Sequence, residues 1–307
     1  GLAWPARVES FAVTVEEGLP VGKTLDWVQL DFAPEIPVPA DAWVDWNAET
    51  QTFVTAGEFY TETTTAKLKT VATYPADLFE TIKWHDGSPL SMGDMVMSLI
   101  MGFDQAKEAS AIYDEVQVPA LESFMSTFKG IKIASMSPLT VEYYTDNWTL
   151  DAENALGSLN CLWPSYGYGE APWHTIALGI MGEAAGKAAF SADKATAKEI
   201  EQFSYISGPT VEFLTEQLTE ATANSTLPYS ATLSAYVTPE EITARYANIT
   251  EWFRRRGHYW VGTGPLFLQK AFPVEGTVIL EHNPDFPDAA DRWSQFAAPA
   301  IADVVVD

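Results

Sequence analysis

The pattern of hydrophobic and polar residues predicts short strands over the first part of the chain. Apolar side chains recur between residues 8 and 15, and residues 43–60 form two apolar runs around a polar turn, which is typical of a hairpin. Residues 67–74 alternate Lys with apolar side chains, as expected of a strand with one buried face. A further strand is predicted at residues 81–84.

Helical spacing is clearest after residue 90. Met95, Leu99 and Phe103 recur at helical intervals and define a helix face that is expected to be buried. Ser91 and Asp94 precede this face as a capping-box pair, in which the Ser oxygen accepts from free N–H groups of the first turn. Further helices are predicted at residues 121–128, 193–203, 210–223 and 238–256, the last of which ends at Gly257 after three Arg residues.

Strands are predicted again in the middle and at the end of the chain. Residues 131–144 form two strand pieces around a central Ser-Pro turn. Residues 262–268 and 277–282 predict a strand pair, an Asn-Pro turn follows at 283–286, and a last strand is predicted at 301–306. Strands and helices mixed in this way predict an α/β fold.

The charge of the chain excludes several classes of partner. Its 42 acidic and 17 basic residues give a formal net charge of -25. Nucleic acid and anionic membrane surfaces would repel such a protein, because both are bound through clustered Lys and Arg. Apolar runs are shorter than the roughly 20 residues that span a bilayer. The sequence begins at Gly1, without an initiator Met and without the basic and apolar regions of a signal peptide. We therefore expect it to be a mature or recombinant piece of a longer protein.

Residue types that carry catalysis or bind metals are sparse and scattered. Cys161 is the only cysteine, which excludes an internal disulfide and a cysteine-based zinc site. The four His residues lack the short spacing of a metal site, and His85-Asp86 is expected to form a turn before a helix rather than a catalytic pair. Gly-x-Ser-x-Gly and phosphate-loop motifs do not occur. The sequence therefore predicts a protein that is not an enzyme and that has no cofactor or metal.

Two segments combine turn residues with the start of a helix or a strand. Residues 83–91 have the sequence Lys-Trp-His-Asp-Gly-Ser-Pro-Leu-Ser and precede the helix that contains Asp94. Residues 262–268 have the sequence Gly-Thr-Gly-Pro-Leu-Phe-Leu and precede a strand pair that ends in Asn-Pro-Asp-Phe at 283–286. In order and polarity these segments resemble the signature blocks of the family 5 extracellular solute-binding proteins, the dipeptide and oligopeptide group. The wide separation of the blocks suggests an insertion between them.

The resemblance implies a periplasmic-binding-protein-like fold of mixed α/β class. The chain would be one main lobe of a two-lobe clamp, with a mixed sheet and flanking helices, and the second lobe would lie largely outside it. We expect this single solute-binding lobe to comprise a strand-rich segment (1–64), the first family block and sub-domain (65–160), a helical insertion (161–260) and return strands towards the hinge (261–307).

The resemblance also implies a function in transport. A protein of this family encloses a solute between its lobes and delivers it to an ABC permease in the membrane. Peptides are the preferred ligand here, with oligosaccharides or nickel chelates as alternatives, and we expect a monomer that is periplasmic or extracellular and attached to the cell surface. Two other classes stay open. One is a carbohydrate-active enzyme domain, which needs two carboxyl groups about 5–10 Å apart; the other is an adhesion module with a flat aromatic patch.

Aromatic residues are the candidate ligand-binding residues. Trp148, Trp163, Tyr166 and Trp173 fall among Pro and Gly in one stretch. Wide aromatic faces that carry one polar atom suit peptides and sugar rings alike, although the same cluster is also compatible with a rigid packed loop. Tyr113 is a further candidate, because the stretch after the first family helix approaches the cleft in proteins that the chain resembles.

Overall fold

The computed structural model of the chain describes residues 7–13, 28–147, 165–166, 169–289 and 291. Its strands are β1 (Arg7–Val13), β2 (Val28–Ala33), β3 (Ile36–Pro37), β4 (Trp43–Asn47), β5 (Thr52–Thr55), β6 (Thr65–Ala66), β7 (Leu68–Thr73), β8 (Phe128–Met136), β9 (Leu139–Thr145), β10 (Ser165–Tyr166), β11 (Gly169–Glu170), β12 (Ala188–Ala189), β13 (Glu201–Gln202), β14 (Leu266–Phe272) and β15 (Thr277–His282). Its helices are α1 (Ala56–Phe59), α2 (Leu78–Thr81), α3 (Met92–Asp104), α4 (Val118–Met125), α5 (Trp173–Ala184), α6 (Ala192–Lys198), α7 (Thr210–Asn224), α8 (Ser230–Leu233) and α9 (Pro239–Arg256), with a 3₁₀ turn at Glu115–Gln117.

Seven of the described strands form one mixed sheet in the order β2-β1-β7-β9-β8-β4-β5. β1 and β2 are parallel, and the other neighbours in this sheet are antiparallel. The alternation predicted for β7 is confirmed, because Leu68, Thr70 and Ala72 are buried and the residues between them are half-buried. The predicted hairpin at 43–60 is confirmed by β4 and β5, and the strand pair at 131–144 by β8 and β9.

Helix α3 begins where the sequence predicts it. The Asp94 carboxylate accepts a hydrogen bond from the Ser91 N–H at 2.9 Å, as in a capping box. Met95 and Phe103 of the predicted face are buried, and Leu99 packs against the same cluster at partial exposure. The helix therefore lies against the core through the face that its spacing defines.

The helices after residue 170 share their core with the sheet. One hydrophobic cluster joins Trp46 and Ile131 of the sheet to Ile176 of α5, Leu214 of α7 and Ile249 of α9. Removal of such side chains from water is the main favourable term in folding. The helices of the predicted insertion at 161–260 thus pack directly on the mixed α/β core.

The predicted strand at residues 81–84 is wrong. Helix α2 ends at Thr81, and a single bridge pairs Lys83 with Pro89. The Trp84 N–H donates to the Ser88 carbonyl at 2.8 Å, so the chain turns back at once and leaves no room for a longer ladder.

Two predicted helices have different limits. The one predicted at 121–128 begins earlier, at Val118, with Pro in its first turn. The one predicted at 193–203 ends at Lys198, because Glu199 takes a left-handed backbone conformation with φ 55°. The predictions for α7, α9 and the β14–β15 pair are confirmed, and the strand predicted at 301–306 lies outside the described residues.

Candidate functional site

The two signature segments contact each other through the His85 ring and backbone. The His85 N–H donates to the Gly262 carbonyl at 2.9 Å, and the Gly262 N–H donates to His85 Nδ1 at 3.1 Å. Because Nδ1 is an acceptor, the ring proton lies on Nε2, which donates to the Gly264 carbonyl at 3.0 Å. Burial lowers the pKa of His85 despite that bond and the nearby acids, so the neutral ring is the form that holds the segments together.

The Asn-Pro turn is tied to the same segment. Asn283 is buried, its side-chain amide donates to the Gly264 carbonyl at 3.1 Å, and its N–H donates to the Pro265 carbonyl at 2.8 Å. Its side-chain oxygen accepts from the Asp285 N–H at 3.1 Å, which forms the turn. The three turns of the two blocks are therefore fixed relative to one another.

The first signature turn and the Asn-Pro turn form one wall of a cleft of about 560 Å³, which we call the signature cleft. It is lined by residues 85–87, by Asn248, Glu251, Trp252, Arg255 and Arg256 of α9, by Phe267 of β14 and by residues 281–285. Its volume lies in the range of about 300–1,000 Å³ that is usual for small-molecule sites.

The carboxylates of the signature cleft each have a cationic or histidine partner. Glu251 accepts from Arg254 at 2.6 Å and Arg255 at 2.5 Å, and these bonds lower the pKa of Glu251 to about 2. Glu281 lies 3.2 Å from Arg256, and Asp285 lies 3.9 Å from Lys83. The cleft thus presents paired charges of both signs.

Arg256 covers the aromatic side of the cleft. Its guanidinium carbon lies 5.4 Å from the centre of the Trp252 ring and 4.5 Å from that of Phe267. His85 stacks on Trp252 from another side, with the ring centres 6.3 Å apart. Helix α9 therefore places a cation over two packed rings, next to the first signature turn.

A network of buried charged and polar side chains packs against the first signature turn. Asp86, whose side chain has no exposed surface, lies 2.8 Å from His174 Nε2 on α5. Burial alone would raise the pKa of the Asp86 carboxyl, but His174, the Ser88 N–H and Arg245 outweigh burial and lower it. Asp86 therefore pairs with His174 and does not form a catalytic pair with His85.

The same network continues around Asp94, which is fully buried. Its carboxylate accepts from Arg245 at 2.8 Å, from Trp84 Nε1 at 3.0 Å and from the Trp173 N–H at 2.8 Å. Arg245 also lies 3.1 Å from Glu241. The helix cap that the sequence predicts is therefore also the centre of a long-range ionic network.

Trp173 lies in this network and is fully buried. Its Nε1 donates to Glu241 at 3.1 Å, and its ring meets that of Tyr246 edge to face. Trp173 offers no surface to a ligand in this structure, so its assignment as a ligand-binding residue is corrected to one in the core. Apolar neighbours and a half-buried acceptor for its Nε1–H explain the placement.

The other predicted site residues do not meet at the signature cleft in the part of the chain that the structure describes. Tyr113 is half-buried and lines a second cleft of about 440 Å³, the Tyr113 cleft, with Glu183, Lys194 and Lys198. Trp148 and Trp163 lie outside the described residues, and of Tyr166 only the backbone, in β10, is described.

An ion pair between Lys194 and Glu183 lines the Tyr113 cleft. Lys194 Nζ donates to Glu183 Oε1 and to the Tyr113 carbonyl, both at 2.5 Å. Burial raises the pKa of Glu183 although Lys194 and the Phe190 N–H act in the opposite direction. The ammonium group is therefore engaged by the protein itself.

Sequence reasoning missed Trp252, Arg256 and Phe267. The four-residue spacing of Trp252 and Arg256, which puts both on one side of a helix, is the signal that could have found these two. In the described residues no group of three or more His, Cys, Asp or Glu side chains is placed to hold a metal ion. Nor does any described helix combine the length and apolar character needed to cross a membrane.

Comparison with known proteins gives no match to a family model and none to a curated sequence at a significant level. The geometry of the signature cleft is therefore the basis on which a function can be inferred.

Proposed function

We propose that the chain is the solute-binding component of an ABC importer, that it captures peptides in the signature cleft outside the cytoplasm, and that it hands them unchanged to a membrane permease. One observation carries the proposal: two segments that resemble family 5 signatures, 177 residues apart at His85 and Gly262, touch each other and line one concave face. The mixed α/β fold of sheet and packed helices supports assignment to a lobe of the periplasmic-binding-protein-like class.

The charges of the cleft support a peptide as the ligand. A peptide carries an ammonium group at one end and a carboxylate at the other, and the cleft offers Glu281 and Asp285 beside Arg255 and Arg256. Charges of both signs at fixed positions favour ligands of complementary charge and reject others. We propose further that the protein acts as a monomer without a cofactor.

Oligosaccharides fit the cleft less well than peptides. Sugar rings are bound by stacking on open aromatic faces. In the signature cleft Arg256 lies across both Trp252 and Phe267, so the faces are shared with a guanidinium group before a ligand arrives.

The carboxylates of the cleft also favour binding over glycoside hydrolysis. A glycosidase needs one carboxyl group with a raised pKa as general acid. The pKa of Asp86 is lowered in spite of its burial, and the hydrogen bonds from Arg254 and Arg255 lower that of Glu251. Both groups stay ionised at neutral pH, so neither is suited to act as the general acid.

A thermal-shift experiment tests this proposal. The chain is heated with millimolar pools of tri- to pentapeptides or of oligosaccharides, and bound material is recovered and weighed by mass spectrometry. A ligand at about 100 times its Kd stabilises the folded state by about 2.7 kcal/mol, which raises Tm by several degrees. We expect stabilisation by peptides that return with unchanged mass. Stabilisation by oligosaccharides alone, or turnover of a glycoside, would refute the peptide-binding function.

A further inference from the structure

Strand β15 has an open outer edge. It pairs with β14 in a two-stranded sheet, and within the part of the chain that the structure describes no strand pairs with its other side. All six of its residues, Thr277–His282, are exposed. Native proteins usually protect such an edge with Lys, Pro or a very short strand, because its N–H and C=O groups can pair with another extended chain. β15 carries neither Lys nor Pro, so its edge is open to a partner.

The register of the hairpin shows which backbone groups of β15 point outwards. The Asn283 N–H donates to the Pro265 carbonyl at 2.8 Å, and hydrogen-bonded and non-hydrogen-bonded pairs alternate along an antiparallel ladder. Leu280 and His282 are therefore in non-hydrogen-bonded pairs, and their N–H and C=O groups point away from β14. The bulge adds its extra residue to β14, so the alternation continues along β15 to Val278.

The side chains beside this edge form an apolar face. Val278 and Leu280 lie on the same face of the sheet as Leu266, the cross-strand partner of His282. These three apolar side chains are 50–58% exposed. An extended chain beside β15 would place every second side chain on this face. The edge therefore fits a strand that has apolar residues at alternate positions.

The edge leads into the signature cleft. Glu281 and His282 both line the cleft. Because consecutive side chains of a strand point to opposite faces, a cleft lined by both borders the end of β15 itself. A peptide can occupy the two together, with an end group among the charges of the cleft and its backbone along the edge. A second copy of the chain would bring its own net charge of -25 and be repelled.

We propose that the peptide binds in an extended conformation as a third strand on β15, paired with the outward N–H and C=O groups of Val278, Leu280 and His282, and with one end in the signature cleft. The inference rests on the proposed function and adds how the backbone of the ligand is recognised. Because all peptides share these backbone groups, this mode accepts many sequences, and apolar residues that face Leu266 and Leu280 add affinity.

N-methylation of the peptide tests the backbone contacts. Only every second N–H of a third strand faces β15. The pentapeptide Val-Ser-Val-Ser-Val is compared by isothermal titration with two forms, one N-methylated at its second and fourth residues and one at its third and fifth. We expect one form to bind about tenfold or more weakly, as the loss of one to two hydrogen bonds predicts, and the other to bind within about twofold of the parent. Equal binding by the two forms overturns the inference.

Leu280→Pro tests the same contacts from the side of the protein. It removes an N–H that β14 does not use, so the hairpin should fold, but a third strand loses its donor and meets the ring. We expect about tenfold weaker binding of the pentapeptide, and about threefold or less in Leu280→Ala, which keeps the N–H. A Leu280→Pro variant that folds, as shown by its melting curve, and binds like the wild type overturns the inference.

Val274→Pro is the matched control. Val274 is the second residue of the turn in which the Gly276 N–H bonds to the Pro273 carbonyl, a position that favours Pro. It lines neither the signature cleft nor the Tyr113 cleft. We expect its affinity for the pentapeptide to equal that of the wild type, and an equal loss in Val274→Pro and Leu280→Pro would overturn the role of the edge.

Two results would assign the edge to another occupant. Slow hydrogen exchange at Val278, Leu280 and His282 without peptide would show that the edge is paired within the protein. A wild-type dimer that Leu280→Pro converts to a monomer in native mass spectrometry would assign the edge to a second copy. Either result overturns the inference. If the pools of tri- to pentapeptides bind and the pentapeptide does not, the inference alone fails; if neither binds, the proposed function fails as well.

Discussion

The signature cleft and the Tyr113 cleft differ in how deeply their ion pairs are buried. At the Tyr113 cleft, Lys194 donates to Glu183 and to the Tyr113 carbonyl, so the cation is engaged within the protein. At the signature cleft, Glu251 accepts from Arg254 and Arg255, and all three side chains are at least 43% exposed. Breaking a buried pair costs stability, whereas an exposed pair contributes little and can exchange its partner for a charged group of a ligand. Substitutions should therefore affect stability at one cleft and binding at the other.

The largest effect is expected beneath the signature cleft, from Arg245→Met. This change leaves Asp94 buried without its cation, and the loss of one partner of a buried ion pair costs about 3–5 kcal/mol. Urea denaturation measures the free energy of unfolding. Arg254→Met is the control on the same helix, where an exposed pair contributes about 0–1 kcal/mol. Similar losses in both variants would show that the buried network has no special role.

A smaller loss is expected at the Tyr113 cleft, from Lys194→Met. The change removes the hydrogen bond from Lys194 to the Glu183 carboxylate, and one bond of this charged kind contributes about 1.5–3 kcal/mol. It also leaves Glu183 buried. Burial raises the pKa of Glu183, so the variant can protonate this group; its deficit should be smaller at pH 5 than at pH 8. Peptide binding should not change.

Lys198→Met provides the matched control for that experiment, because Lys198 lines the same cleft but is exposed. We expect it to lose little stability. If Lys194→Met instead left stability unchanged and reduced peptide affinity, the roles of the two clefts would be reversed.

The smallest effect is a pH dependence at the signature turns. Burial lowers the pKa of His85 and of His258, whose Nδ1 accepts from the Trp260 N–H and whose Nε2 bonds to the Leu268 carbonyl. A group with a lowered folded-state pKa stabilises above its unfolded value of 6.5 and loses this contribution as the pH falls. Wild-type stability should therefore decrease from pH 7 to pH 5.

His85→Gln isolates the contribution of one ring, since an amide can accept from Gly262 and donate to Gly264 without titrating. Thermal melts at pH 5, 6 and 7 should show a shallower pH dependence in His85→Gln than in the wild type. Identical slopes would exclude His85 as a titrating contact between the signature segments.

Local patterns predicted most of the regular structure. Met95 and Phe103 mark the buried face of α3, and Gly257 ends α9 with the positive φ of 78° that a glycine allows. Such signals lie within a few residues of each other in sequence. The prediction at 81–84 was wrong because the chain turns back at Trp84, whose N–H donates to the Ser88 carbonyl, so the short apolar run pairs only with residues a few positions away.

The candidate site could be predicted only in part. The two blocks were visible in the sequence, but their contact joins His85 to Gly262, and neither periodicity nor composition reports on such a distance. Trp173 was assigned to the ligand site because other aromatic residues lie near it in the sequence. Its hydrogen-bond partners, Asp94 and Glu241, lie 79 and 68 residues away along the chain. Which Trp is buried and which lines a cleft depends on these tertiary contacts.

Hydrogen exchange of the backbone amides, followed by mass spectrometry with and without the pool of tri- to pentapeptides, tests the central claim most directly. We expect slower exchange on peptide binding in segments 84–88, 262–267 and 281–286, which border the signature cleft, and unchanged exchange in 110–114 and 183–200 around the Tyr113 cleft. Protection confined to the second group of segments, or to neither, would contradict the claim that the signature cleft holds the peptide.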